Sequence, residues 1–204
     1  MRSILALMAI TMGVFAVEAA AEEPVKARGI VLEETHVSYA FEASVLGRAG
    51  KAMLKAAPLG ANGNPNAGQV DSEWSLRLKP SATETQCGVQ DVTITVSTTI
   101  TTPDWSDVED LEPDAQKEWD RYLTALRTYQ DGHIAITVEM AKDIRSALLA
   151  LPAQPTCSDL QAEMAQTAAR IEADYADTNA AYDKRTNYGK KLGAVLRKQF
   201  TRRG

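Results

Sequence analysis

The sequence predicts an α+β domain in which a small antiparallel β-sheet packs on a hairpin of two long helices. Three observations carry that prediction. The first half of the chain alternates apolar and polar residues with period two, the second half changes to steps of three and four, and the two patterns follow one another instead of interleaving.

Three segments show the period-two alternation of half-buried strands. In the first, Val37, Tyr39 and Phe41 oppose His36, Ser38 and Glu42. In the second, Trp74, Leu76 and Leu78 oppose Glu73, Ser75, Arg77 and Lys79. In the third, Val92, Ile94, Val96 and Ile100 oppose Thr93, Thr95, Ser97 and Thr99, all of strand-favouring types. A short helix is expected around Arg48–Ala57, followed by a loop, 58–65, dense in turn-forming residues.

From Asp114 a helical seam runs through Trp119, Leu123, Leu126, Gln130, His133, Thr137, Met140, Ile144, Ala147 and Leu151, with Pro113 suited to the first turn and Pro152 ending the run. A second helix is expected from Ser158 as N-cap, with Gln161 completing a capping box, and it presents Leu160, Met164, Ala168, Ile171, Tyr175, Thr178 and Tyr182. Asn187 and Gly189 favour a break before a shorter helix holding Leu192, Val195 and Leu196.

The chain of 204 residues opens like an export signal: Arg2, an almost unbroken apolar stretch from Ile4 to Val17, and small residues at Ala19–Ala21. The expected organisation is a signal peptide over 1–21, an N-terminal extension over 22–34 and a single domain over 35–200, exported to the periplasm or the extracellular space. The apolar stretch falls short of the roughly 20 residues a membrane-spanning helix needs, and no later stretch is long and apolar enough. An exported chain with two cysteines most simply joins them, so a Cys87–Cys157 disulfide is expected; a thiolate metal pair would show closer spacing. The formal charge of −5 gives no reason to expect nucleic acid as a partner. Acids crowd 104–120, whereas bases alone follow Asp183, so the basic end is expected to be solvated, near the acidic segment.

Gln130, His133 and Thr137 interrupt the apolar seam at consecutive inward positions, which calls for a shared hydrogen-bond network or a cleft. Gly132, inside the same helix, points to something approaching the backbone there. The surrounding pentapeptide, Tyr129-Gln130-Asp131-Gly132-His133, stands where a zinc hydrolase carries His-Glu-x-x-His, two metal ligands one helical turn apart with a general base between them.

From about Thr35 to Leu196 the chain resembles a bacterial family of unknown function described as a predicted secreted zinc-dependent protease. The resemblance rests on the Trp74 strand, Cys87, Pro103-Asp104-Trp105, Trp119-Asp120-Arg121-Tyr122, Cys157, the run from Tyr182 through Gly189, and Gly193-Ala194. It implies a zincin-like, metalloprotease-related fold, with the first metal ligand falling on Tyr129, the base on Gln130, the second ligand on His133 and the third on Tyr188. No catalytic set is intact, because glutamine is no base near neutral pH and tyrosine binds metal only after losing a proton. His133 is the one retained ligand position and the chain has only two histidines, so no metal or other cofactor is expected here, although the resemblance implies zinc in relatives. Both phenols are expected to fill the emptied site and donate to His133 or Gln130. The expected function is that of a pseudo-protease acting by binding an envelope protein, a peptide or a cell-wall component. The alternative is an active metallopeptidase with a non-standard site of Tyr129, His133 and Asp183.

Overall fold

The computed structural model describes residues 20–21, 25–27, 29–60 and 63–197, with side chains from residue 29 onward. It is an α+β fold in chain order β1 (Ala20–Ala21), β2 (Val25–Ala27), β3 (Ile30–Phe41), α1 (Leu46–Ala56), β4 (Gln69–Ala82), β5 (Cys87–Trp105), α2 (Pro113–Leu149) and α3 (Cys157–Thr186). The expected signal peptide lies outside the described residues except for Ala20 and Ala21, which pair with His36 and Thr35.

The three long strands form where the alternation placed them, but the sheet is mixed, not antiparallel. β5 is central, antiparallel to β4 and parallel to β3 along their whole shared length, from Ile30 opposite Ile94 to Phe41 opposite Trp105. Alternation reports which residues face inward and says nothing about strand direction. Direction is set by the connection: a parallel pair needs a crossover of a dozen residues or more. Here β3 leaves through α1 and the following loop to β4, and the β4–β5 hairpin then folds β5 into the gap between them. Val92, Ile94, Val96 and Ile100 of β5 are fully buried. β4 is an edge, protected by Glu73, Arg77 and Lys79 and by a register shift at Lys79/Pro80.

α2 lies across the sheet and joins two apolar clusters. Toward its start, Trp119, Tyr122 and Leu126 pack with Phe41, Trp105 and the inner face of α1; the Trp105 and Trp119 rings meet edge to face with centroids 5.6 Å apart. Toward its end, Ala141, Ile144 and Leu148 pack with β5 and with Leu160, Met164 and Ala168 of α3. The expected seam is buried at Trp119, Leu126, Gln130 and Ile144, but in the second half of α2 Ile134, Ala141 and Leu148 are buried as well, while His133, Thr137, Met140 and Ala147 are only partly covered. The buried stripe is broader there because α2 packs against β5 and α3 together.

The helix termini also differ from expectation. Thr156, not Ser158, caps α3, its hydroxyl accepting from the Asp159 backbone N–H at 3.1 Å. On α3, Asn179 faces inward where Thr178 was expected, and Thr178 is exposed. In place of the expected shorter helix, Asn187 ends α3 in the left-handed conformation and a 3-10 turn covers Lys190–Leu192. The Cys87–Cys157 disulfide forms, tying the start of β5 to the start of α3 across 70 residues; in the chain-entropy picture it restricts the unfolded state by about 4 kcal/mol.

The segment after the 3-10 turn is held by one buried ion pair. Glu118 receives two hydrogen bonds from Arg121, at 2.8 and 2.7 Å, and a third from the Arg197 backbone N–H at 2.8 Å. The Arg121 guanidinium also donates to the carbonyls of Gly193 and Val195, at 2.7 and 2.6 Å. The chain's basic end is thereby led back to the acidic run, through backbone groups. Burial alone would raise the Glu118 pKa, but the bonds from Arg121 and Arg197 outweigh it and hold the carboxyl below its ordinary value. A lowered pKa stabilises the fold above the unfolded value of about 4.3 and ceases to do so as pH falls through the folded value. Glu118→Gln is expected to cost about 2 kcal/mol at pH 7, with the difference from wild type narrowing under acid; urea melts at pH 7 and pH 3 measure this.

Candidate functional site

Gln130, His133 and Tyr129 all project from the middle turns of α2, but toward different neighbours. Gln130 is 1% exposed and points at the sheet. Its amide nitrogen donates to the carbonyls of Gln69 and Thr101, at 3.3 and 3.0 Å, and those two residues are the directly opposed pair at the end of the β4–β5 ladder. The amide oxygen is buried with no hydrogen-bond partner among the described residues.

His133 turns toward α3. Its Nδ1 lies 2.8 Å from Asn179 Oδ1 and its Nε2 lies 3.1 Å from Asp183 Oδ1. A carboxylate only accepts, so Nε2 carries the hydrogen in that bond, and Nδ1 is turned to the Asn179 amide, so both ring nitrogens face side chains of α3. The Tyr129 hydroxyl donates to the same Asp183 oxygen. Burial and that hydrogen bond hold the Tyr129 phenol well above its ordinary pKa, which keeps it a neutral donor.

Aromatic packing closes the arrangement. The Tyr129 and Tyr182 rings stack, with centroids 5.6 Å apart, and His133 meets each of them edge-on at 4.9 Å. Tyr182 reaches across α2 so closely that a Cβ on Gly132 would sit 2.0 Å from its hydroxyl oxygen, while that hydroxyl donates to the Tyr129 carbonyl at 3.2 Å. The approach implied by Gly132 is therefore made by an aromatic ring of the same chain. Gly189 serves similarly: a Cβ there would lie 2.9 Å from the Tyr129 ring. Beside the network a cavity of about 240 Å³ is bounded by Gly60, Gln69, Asp71, Tyr129, His133 and Asp183.

The structure divides the two tyrosines that were expected to fill the site together. Tyr129 packs into it and bonds to Asp183, not to His133 or Gln130. Tyr188 is 63% exposed, carried outward by consecutive left-handed residues with φ of 50°, 53° and 76° at Asn187, Tyr188 and Gly189. Asp183 and Asn179 are central, although the sequence reading held Asp183 only in its alternative metal site and passed over Asn179. Their spacing of one helical turn on α3, opposite a lone inward histidine, was the available signal. Thr137 stays outside the network and donates to the His133 carbonyl at 3.2 Å.

A family profile described as "Bacterial protein of unknown function (DUF922)" matches residues 36–189, a span that runs from the second half of β3 through β4, β5 and both long helices. The chain belongs to this family. No curated protein and no solved structure matches it.

The residues present in this member do not fit a zinc ion. Zinc needs deprotonated nitrogen, sulfur or oxygen donors converging on one point. Of the three positions that the resemblance assigns to ligands, Tyr129 holds a protonated phenol, His133 has both ring nitrogens turned to side chains of α3, and Tyr188 faces solvent. Among the described residues no three His, Cys, Asp or Glu side chains come together to hold a metal. An amide is also what the Gln130 position requires, because an ionised glutamate would set a carboxylate against two carbonyls it cannot donate to.

Two outcomes follow. Gln130→Glu is expected to destabilise the fold by about 3 kcal/mol at pH 7.5. Burial raises the new carboxyl's pKa, so the loss is smallest below pH 4 and grows as pH rises; urea titrations across that range measure it. Gly132→Ala replaces a poor helix former by a better one yet is expected to cost about 2 kcal/mol by displacing Tyr182, a sign that thermal unfolding reads directly.

Proposed function

We propose that this protein is a non-catalytic, exported member of its family that acts by binding in the cell envelope, on a scaffold related to zincin-like secreted proteases. The observation that supports this most is the self-satisfied state of His133. The imidazole best placed to ligate a metal spends one nitrogen on Asp183 and the other on Asn179. Glutamine supplies no base beside it, and the Tyr129 hydroxyl keeps its proton. The disulfide, together with the lack of any described helix long and apolar enough to cross a membrane, is compatible with export. The small polar cavity beside the network is the feature left to take a peptide end or another polar group, with Gln69, Asp71 and Asp183 as hydrogen-bonding walls.

The alternative, a hydrolase using Tyr129, His133 and Asp183 around a metal, draws on the meeting of these three side chains at one carboxylate oxygen. One experiment separates the two readings. Purified protein is incubated with zinc, passed through a desalting column and assayed for metal by elemental analysis, beside a His133→Ala variant. No retained zinc in either is expected; stoichiometric zinc in the wild type that disappears with His133→Ala overturns the non-catalytic reading.

A further inference from the structure

A second recess lies about three turns back along α2 from His133, where Tyr122 forms part of its floor. It runs between the outer face of α1 and the returning segment 194–196 and encloses about 900 Å³. Ala67 and Ala194 share the floor with Tyr122, and Leu54 and Val195 stand on the two walls, 45% and 44% exposed. Its charged lining is of one sign: Arg48, Lys51 and Lys55 from α1, and Lys190 from the 3-10 turn, with no acidic residue among those that bound it. The chain as a whole carries a net charge of −5, so this face departs from the molecule's balance.

Two glycines of α1 distinguish the groove from an ordinary solvated face. Gly47 and Gly50 both border it, and a Cβ built on either meets nothing within 4 Å. Gly132, Gly189 and Gly68 are explained by a side chain packed against them, whereas these two are not. Neither has a φ that calls for glycine. Glycine weakens a helix interior relative to alanine, so at Gly50 the fold bears a cost for which packing among the described residues shows no return. Bare backbone flanked by exposed leucine and valine and ringed with cations suits close approach by another polypeptide.

We propose that the groove between α1 and segment 194–196 is a docking site for an acidic polypeptide segment of a partner protein. Such a segment sets apolar side chains against Leu54 and Val195 and passes its backbone over Gly47 and Gly50, while its carboxylates meet Arg48, Lys51, Lys55 and Lys190. The chain's own end is a poor occupant, because 198–204 adds Lys198, Arg202 and Arg203 to an already basic rim. A concave recess with a glycine-paved wall also suits a single chain better than a flat lipid surface.

The test is selection of a phage-displayed library of random short peptides on the purified protein, followed by fluorescence anisotropy with the enriched peptides. Enrichment of sequences combining aspartate or glutamate with large apolar residues is expected. Affinity should fall at least tenfold with Lys51→Glu/Lys55→Glu, and likewise with Gly50→Leu, which fills the groove without altering charge. Gly50→Ala should raise the unfolding temperature, showing that the glycine is dispensable to the fold. The proposal is overturned if no acidic peptide is enriched or if enriched peptides bind Gly50→Leu as well as wild type. It is equally overturned if phosphatidylglycerol vesicles bind through the same lysines more tightly than the peptides, or if sedimentation shows a dimer that Gly50→Leu abolishes.

Discussion

The side-chain amide of Gln130 is the interaction on which the rest of the arrangement depends. It is buried to 1% exposure midway along a 37-residue helix, between two apolar clusters, and its two N–H groups satisfy the carbonyls of Gln69 and Thr101. Carbonyls buried at the end of a ladder are costly without a donor. Supplying that donor from α2 fixes the rotation of the helix on the sheet as well as its height along it. With Gln130 turned to the sheet, the residues on either side are committed: Trp119, Tyr122 and Leu126 to one cluster, Ala141, Ile144 and Leu148 to the other, and Tyr129 and His133 to α3.

The site on the α3 side is closed by the same commitment. Asp183 accepts from Tyr129 and His133 together, Asn179 takes the other imidazole nitrogen, and Tyr182 lies over Gly132. The polar groups of this network tie the two long helices together at mid-length, where apolar contact between them gives way.

Sequence pattern reached some elements and stopped short at others for identifiable reasons. The strands around Phe41, Trp74 and Ile94 were legible because each alternates apolar and polar residues, although on the edge strand Leu76 stays 38% exposed, and the pairing of Cys87 with Cys157 followed from their number. The parallel run of β3 beside β5 was not legible, since a period-two pattern is the same in either direction. The seam of α2 was legible at Trp119, Leu126, Gln130 and Ile144, but not the burial of Ile134, Ala141 and Leu148 beside it, because a second face of the helix is covered by α3. Gly132 announced a close approach without naming Tyr182, and His133 announced a buried polar group without naming Asn179 or Asp183. Local spacing does not name a partner one helix away; for Asn179 and Asp183 it offered only their separation of one helical turn.

What the sequence by itself determined about this protein was its local character: where alternation makes strands, where a proline-bounded run makes a long helix, and which residue types stand at the positions where relatives are expected to hold a metal. Only the tertiary structure decided what those residues do. Direction of pairing, the helix face turned to the sheet, the sharing of one Asp183 oxygen by two partners and the outward swing of Tyr188 all arise from contacts between segments far apart in the chain. Their physical reason is common: a buried hydrogen-bonding group is satisfied by whatever lies opposite in space, and that is chosen by the packing of the whole domain.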